Sequence, residues 1–262
     1  MPNILVTNDD GINSIGLRTL ANQLKNLGEV TIVTPEHERS GVGKAISIGQ
    51  VNITESNFGD GIRAYAITGT PADSFLIAVN KILECTPDLL VSGINIGPNL
   101  GIDDLLISGT VGAAFEAAIH HVPAIAVSYC LSKITEKIVD KKKVSVSDLE
   151  LAASLAYKSA KHVLDSGMPP DVDIISINVP ENADSKKVTL TRLCYDGYGD
   201  IHTEVTDGYQ IKSWALRHYP EGVLGTDLYA IKTDKCISVT PIKLEFLHNT
   251  QAFEDLIKSL SD

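Results

Sequence analysis

Apolar and polar positions follow two rhythms along this chain. Ile4-Leu5-Val6 is a compact apolar run; Leu17, Leu20, Ala21 and Leu24 then recur at helical spacing, and Val30-Thr31-Ile32-Val33 returns to strand character. Thr70-Pro71-Ala72-Asp73 carries the chemistry of a helix start: a threonine cap, proline in the first turn and an acid three residues past the cap. The helix it opens runs through Phe75, Leu76, Val79 and Ile82. Leu89-Leu90-Val91 reads as a buried strand, followed by a long loop rich in glycine and asparagine. A helix over Val111 to His120 and a strand at Ala124-Ile125-Ala126-Val127 come next.

The stretch from Ser132 to Ser147 is lysine-rich, weakly periodic and expected to be an exposed connection. A helix is predicted from Ser147, with Glu150 completing a capping box, through Leu151, Leu155 and Ala156 to Leu164. Ile174-Ile175-Ser176-Ile177 is one more core strand. Between Lys186 and Val239 β-branched and aromatic residues cluster between Gly, Asp and Pro, the pattern of antiparallel hairpins. Phe253, Leu256, Ile257 and Leu260 mark a short terminal helix. Strands alternating with helices predict an α/β fold with a doubly wound, mostly parallel sheet, a C-terminal β-hairpin extension and a terminal helix. At roughly 150 residues per domain, the division expected is a catalytic core over 1–185 and, within the same domain, an extension over 186–262.

Composition narrows the function. Of the residues 44% are hydrophobic and only 5% aromatic, so the core is aliphatic. Twenty-two basic against 33 acidic residues leave a net charge of −11, which disfavours binding to a nucleic-acid polymer, since that binding rests on neutralising phosphates. No run approaches the ~18 apolar residues of a membrane helix, and the start of the chain carries no basic region or cleavage pattern of a signal peptide. Cys85, Cys130, Cys194 and Cys236 are scattered, which suits buried thiols of a cytoplasmic protein rather than a zinc ribbon or disulfide scaffold.

In open α/β sheets ligands bind beyond the carboxyl ends of the strands, and three polar loops fall there. The first is Asn8-Asp9-Asp10-Gly11, directly after the first strand. Two adjacent carboxylates repel each other unless a cation sits between them, and Gly11 permits the turn that brings both to one side. The plainer reading of the same residues is a solvated turn. The second loop, Pro35 to Lys44, contains Gly43-Lys44 but has Glu38 and Ala45 where a Walker loop needs Gly and Ser or Thr. Ser40 lacks the Gly-x-Ser-x-Gly setting of a hydrolase nucleophile, which leaves metal or phosphate ligation, or an ordinary loop serine. The third loop runs from Ser92 through Asn95, Gly97 and Asn99 to Ser108-Gly109-Thr110, at the start of a helix whose free N–H groups make a phosphate seat; plain N-capping is the alternative for these last three.

Together, Asp9, Asp10, the Ser40 hydroxyl and the Asn95 amide form an oxygen-only donor set, suited to Mg²⁺, Mn²⁺ or Ca²⁺ rather than zinc. A hard cation beside a phosphate seat points to phosphoester hydrolysis. The residues also match a known family in order along the chain: Val6-Thr7-Asn8-Asp9-Asp10-Gly11, Pro35 to Gly41, Gly69-Thr70-Pro71-Ala72-Asp73 and Ser92-Gly93-Ile94-Asn95 with Gly97 and Asn99. The match continues through Ser108-Gly109-Thr110-Val111-Gly112-Ala113-Ala114, Thr226-Asp227 and Ser238-Val239-Thr240-Pro241. In these segments the chain resembles the survival protein SurE family of metal-dependent nucleotidases. One departure is Ala117 after Glu116, where relatives often carry Gly.

That resemblance implies a Rossmann-like core and one divalent cation per subunit, Mg²⁺ or Mn²⁺, held by Asp9, Asp10, Ser40 and Asn95. It implies phosphate contacts at Asn99, Ser108, Gly109 and Thr110, and catalysis by water with Asp9 or Asp10 as the base. The substrates it implies are nucleoside 5′- and 3′-monophosphates, with short polyphosphate in some members. The partner it implies is a second copy, in a homodimer or homotetramer that exchanges C-terminal elements. Two other readings stand beside it: a nucleotide sensor that binds metal without turnover, and a dinucleotide-dependent oxidoreductase. Against the last stands the lack of Gly-x-Gly-x-x-Gly after the first strand.

Overall fold

The computed structural model describes residues 1–59, 61–131, 144–212, 216–245 and 253–261. Strand β1 (Asn3–Thr7) is buried from Ile4 onward. Ser14 caps α1 (Ile15–Leu24) by accepting from the N–H groups of Gly16 and Leu17, and Leu17, Leu20, Ala21 and Leu24 form its buried face at the expected spacing. β2 (Glu29–Pro35) returns parallel to β1, with Ile4 opposite Val30 and Val6 opposite Ile32. An antiparallel pair, β3 (Ile53–Asn57) and β4 (Arg63–Ile67), extends the sheet past β2. Neither strand is evident in the sequence pattern, because β3 is an exposed edge strand without an apolar face.

Thr70 and Asp73 form the expected capping box of α2 (Pro71–Ile77), but the helix widens into a π turn over Ala78–Ile82. β5 (Leu89–Ile96) runs past Val91 and is buried throughout; α3 (Gly101–Ile107) follows, so the expected long loop is mostly regular structure. Ser92, Gly93 and Asn95 conceal the strand because it is enclosed on both faces and needs no polar alternation. After α4 (Gly109–Ile119) and β6 (Ala124–Cys130) come α5 (Val146–Ser166) and β7 (Ile174–Pro180). Helix α5 starts two residues earlier than expected. Its box is Ser145 with Asp148, whose carboxylate accepts from the Ser145 N–H at 2.8 Å and hydroxyl at 2.6 Å, and not Ser147 with Glu150. Residues 132–143 of the lysine-rich connection lie outside the described residues.

The last third contains β8 (Val188–Leu190), β9 (His202–Val205), β10 (Gly208–Ile211), α6 (Asp227–Lys232), β11 (Ile237–Ile242) and α7 (Glu254–Ser261). Among the described residues only β9 and β10 form a separate antiparallel hairpin. The other two strands join the main sheet: β11 pairs antiparallel with β7 and parallel with β8. Nine strands thus lie in the order β3-β4-β2-β1-β5-β6-β7-β11-β8. Helices α1 and α5 cover one face, around Leu17, Leu20, Leu149 and Ala156, and α2 and α4 cover the other, around Phe75, Val111 and Ala114. The chain is therefore a doubly wound, mostly parallel α/β fold, and its strand order reverses between β1 and β5.

A third, smaller apolar cluster (Leu100, Cys130, Cys194, Leu216, Leu228, Ile231) fastens the C-terminal segments onto the start of α3. Polar bonds reinforce it. The buried Asp227 carboxylate accepts from the N–H groups of Gly101 at 2.7 Å and Cys194 at 2.9 Å. Tyr198 donates its N–H to Asp103 at 2.6 Å and its hydroxyl to Asp104. Burial pushes the Asp104 carboxyl up to about 6, with the nearby Asp227 and Asp103 charges adding to the shift and the Tyr198 hydroxyl and Leu100 N–H opposing it. A folded value above the ordinary 3.8 means the folded state holds this proton longer. Its contribution to stability is full below about pH 4 and falls as pH rises to about 6. Asp104→Asn, which keeps an acceptor but cannot ionise, should melt with the parent chain at about pH 4 and above it beyond about pH 6, as thermal melts across that range would record.

Candidate active site

β1 lies between β2 and β5 and runs parallel to both, so the loops after these three strands leave the same edge of the sheet at its switch point. Backbone bonds then draw them together. The Arg39 N–H, next to Ser40, donates to the Asp9 carbonyl at 2.7 Å, and the Ile96 N–H, next to Asn95, donates to Asp10 Oδ2 at 3.2 Å. Asn8 fixes the turn between the two acids and Gly11. Its Oδ1 accepts from the Gly11 N–H at 3.1 Å and from the Thr34 hydroxyl at 2.6 Å, and Asn8 itself is fully enclosed. Gly11 has φ +93°, a conformation that a side chain would strain.

The start of α4 reaches the same point from the other side. A Cβ on Gly109 would lie 2.8 Å from the Asp9 Cβ, so only glycine lets the helix terminus approach this carboxylate. One residue on, the Thr110 hydroxyl donates to Asp9 Oδ1 at 2.5 Å. Asp9 is buried and Asp10 half-buried. Asp9, Asp10, Asn95, Gly109 and Thr110 are therefore neighbours in space.

The remaining expected residues are placed differently. Ser40 is exposed and donates its hydroxyl to Glu38 Oε1 at 2.6 Å, which commits its proton and leaves lone pairs as the part a cation would use. Asn95 donates through Nδ2 to the Gly97 carbonyl at 2.9 Å, which turns its Oδ1 the other way. The Ser108 hydroxyl accepts from the Val111 N–H at 3.1 Å and so serves as the cap of α4. Asn99 is held further along the sheet, donating Nδ2 to the Ser128 hydroxyl at 2.8 Å. Its N–H donates to Asn178 Oδ1 at 3.0 Å and its carbonyl accepts from Asn178 Nδ2 at 3.1 Å.

Among the described residues no three His, Cys, Asp or Glu side chains gather as a metal cluster. A set of two carboxylates, an amide oxygen and a hydroxyl suits a hard cation that keeps several waters and takes further oxygens from its substrate, the habit of Mg²⁺ and Mn²⁺. Surface hollows of about 480 and 270 Å³ lie elsewhere, along the β3–β4 hairpin and around Cys85.

Asn8, already legible in the first polar loop, supports the site together with Thr34, Ser128 and Asn178, which are not evident from the sequence as site residues because each acts through a bond to a residue distant along the chain. The buried Glu116 joins them: it pairs with Lys44 at the end of the Ser40 loop and lies 3.3 Å from His120. The Gly43 N–H fastens the same loop to the Ile107 carbonyl at 2.7 Å. Asn8→Ala leaves the Gly11 N–H without its acceptor and the Thr34 hydroxyl with only its longer bond to the carbonyl of residue 8, and chemical denaturation should report a loss on the order of 2 kcal/mol.

A family model described as survival protein SurE matches residues 4–200 of the chain. Over 252 residues the chain is 40% identical to the protein of Methanosarcina mazei named 5′-nucleotidase SurE, covering 94% of this chain and 93% of that one. The protein of the same name from Methanothermobacter thermautotrophicus is 42% identical over 191 residues, 72% of either chain. The crystal structure of the SurE protein from Aquifex aeolicus superimposes with a TM-score of 0.75 at 30% identity, with both chains covered in full. By the extent of these matches, the chain belongs to the survival protein SurE family.

Proposed function

We propose that this protein is a divalent-metal-dependent 5′-nucleotidase, which hydrolyses nucleoside monophosphates to nucleoside and phosphate. The observation that carries the reading is the direct approach of the α4 terminus to Asp9 at the switch point of the sheet. It sets N–H groups suited to an anion beside carboxylates suited to a cation. The names of the relatives from Methanosarcina mazei and Methanothermobacter thermautotrophicus support the same activity. Nucleoside 3′-monophosphates carry the same phosphomonoester group, and short polyphosphates, although anhydrides, end in a phosphoryl group that the same seat would accept.

Asp9, Asp10, Asn95 Oδ1 and the Ser40 hydroxyl would hold one Mg²⁺ or Mn²⁺ per subunit. When bound, the cation supplies polarisation of the phosphoryl group and acidification of the attacking water. The chain's own groups do the rest. The backbone N–H groups of Gly109 and Thr110 receive equatorial phosphoryl oxygens, with the helix terminus behind them. Ser108 caps that helix and holds it in place; Asn99 is clamped by Ser128 and Asn178, and the second N–H of its side-chain amide would be its contact to the same phosphate. Asp9 or Asp10 accepts the proton of the water as it attacks phosphorus, the bond from phosphorus to the nucleoside oxygen breaks, and that oxygen takes a proton from solvent as it leaves.

The oligomer fits as a homodimer or homotetramer joined through C-terminal elements. Supporting this are the exposed Val205, Tyr209 and Ile211 of the separate β9–β10 hairpin, and Ile257 and Leu260 of α7. A cytoplasmic setting accords with four free cysteines. Among the described residues no helix is long and apolar enough to cross a membrane.

The test is phosphate release from a panel of nucleoside monophosphates with Mn²⁺, with Mg²⁺ and with EDTA. Release should require metal, and Asp10→Asn should lower it by about 10²–10⁴-fold. Metal-dependent nucleotide binding without phosphate release would overturn the enzyme reading in favour of a sensor.

A further inference from the structure

Thr110 is completely enclosed, and its hydroxyl has a single proton, which it donates to Asp9 Oδ1 at 2.5 Å. While that bond stands, the hydroxyl has only lone pairs to offer, and lone pairs repel a phosphate oxygen. A second contact fixes the same carboxylate: the position of a Cβ on Gly109 falls 3.1 Å from Asp9 Oδ2, so the helix backbone packs directly along the other oxygen. The Arg39 N–H holds the Asp9 carbonyl from the Ser40 loop. Asp9 is therefore held at its backbone by the Ser40 loop and at its carboxylate by the start of α4.

We infer that the Thr110 side chain is a positioning residue for the Asp9 carboxylate, and that Thr110 meets the substrate phosphate only through its backbone N–H. This rests on the reading of Asp9 as a metal ligand. Hydrogen bonds to ligating carboxylates set their orientation, and losing such a partner weakens metal affinity about 10–100-fold. The hydroxyl thereby divides the work of one residue between the two halves of the site: side chain to the cation's carboxylate, main chain to the anion. Gly109 makes the division possible, because any side chain there would push Asp9 out of reach of Thr110.

The experiment is a Mn²⁺ titration of the nucleotide-free protein, followed by electron paramagnetic resonance, for the wild type, Thr110→Val and Thr110→Ser. Valine keeps the shape and removes the hydroxyl; serine keeps the hydroxyl. Nucleotide KM is measured in parallel at saturating Mn²⁺, and melting in EDTA establishes that each variant is folded. Thr110→Val is expected to bind Mn²⁺ about 10–100-fold more weakly with KM near the wild-type value, and Thr110→Ser to restore the affinity. In an Asp9→Asn background the valine substitution should add no further loss. Unchanged Mn²⁺ affinity in Thr110→Val overturns the inference, whether KM rises, which would put the hydroxyl on the substrate, or stays the same. If valine prevents folding, Thr110→Ala takes its place with the same two outcomes. A wild-type protein that binds no Mn²⁺ would instead refute the metal site itself, a result distinct from either.

Discussion

Two adjacent carboxylates at the end of a buried strand repel one another, and the architecture around them follows from that repulsion. Asp9 and Asp10 are held by neutral donors drawn from separate parts of the chain: the Thr110 hydroxyl on α4 and the Ile96 N–H on β5. Asn8, wholly enclosed, ties their turn to β2 through Thr34, and Arg39 ties the Ser40 loop to the Asp9 carbonyl. Because each donor belongs to a different element, none of these loops can shift without unmaking a bond on the acid pair.

The same repulsion explains why glycine stands where the helix meets the strand. A helix terminus stabilises negative charge within about a turn of its end, so its effect depends on close approach. At Gly109 the approach is limited by the absence of a Cβ, and the helix sits against the carboxylate itself. Further out, the C-terminal segments press on the other end of this assembly. Asp227 receives the Gly101 N–H, and Tyr198 receives support from and gives support to α3 through Asp103 and Asp104. Those bonds bury carboxyls at a cost in ionisation, visible in the raised Asp104, in exchange for fixing where α3 begins.

What the sequence reveals and what it hides divide along physical lines. β1, β2, α1 and the start of α2 declare themselves because their burial has a period or a cap within a few residues, as at Leu17, Leu20, Ala21 and Leu24 or at Thr70 and Asp73. The acid pair, Asn95 and the Ser108–Thr110 segment are legible as polar residues where ligands bind in such sheets. β3 is hidden because an exposed edge strand has no apolar face to show. The start of α5 is misplaced by two residues because Ser145 and Ser147 are both good caps with an acid three positions later, and local chemistry alone cannot choose between Asp148 and Glu150. The partnership of Asn99 with Asn178, 79 positions away, leaves no local trace at either end, and the direction of the Thr110 hydroxyl is decided only once α4 stands beside β1.

Those long-range bonds set a schedule for a chain made from its N-terminus. β1, β2 and β5 can pair while the later segments are still unmade, since all three lie within the first 96 residues. The segment from Asn99 to Gly101 cannot be completed at that stage: its amide clamp arrives with Asn178, and the acceptor of the Gly101 N–H arrives 126 positions after it, with Asp227. The nascent protein thus acquires its acid pair early and the fixed segment from Asn99 to Gly101 only near the end of synthesis.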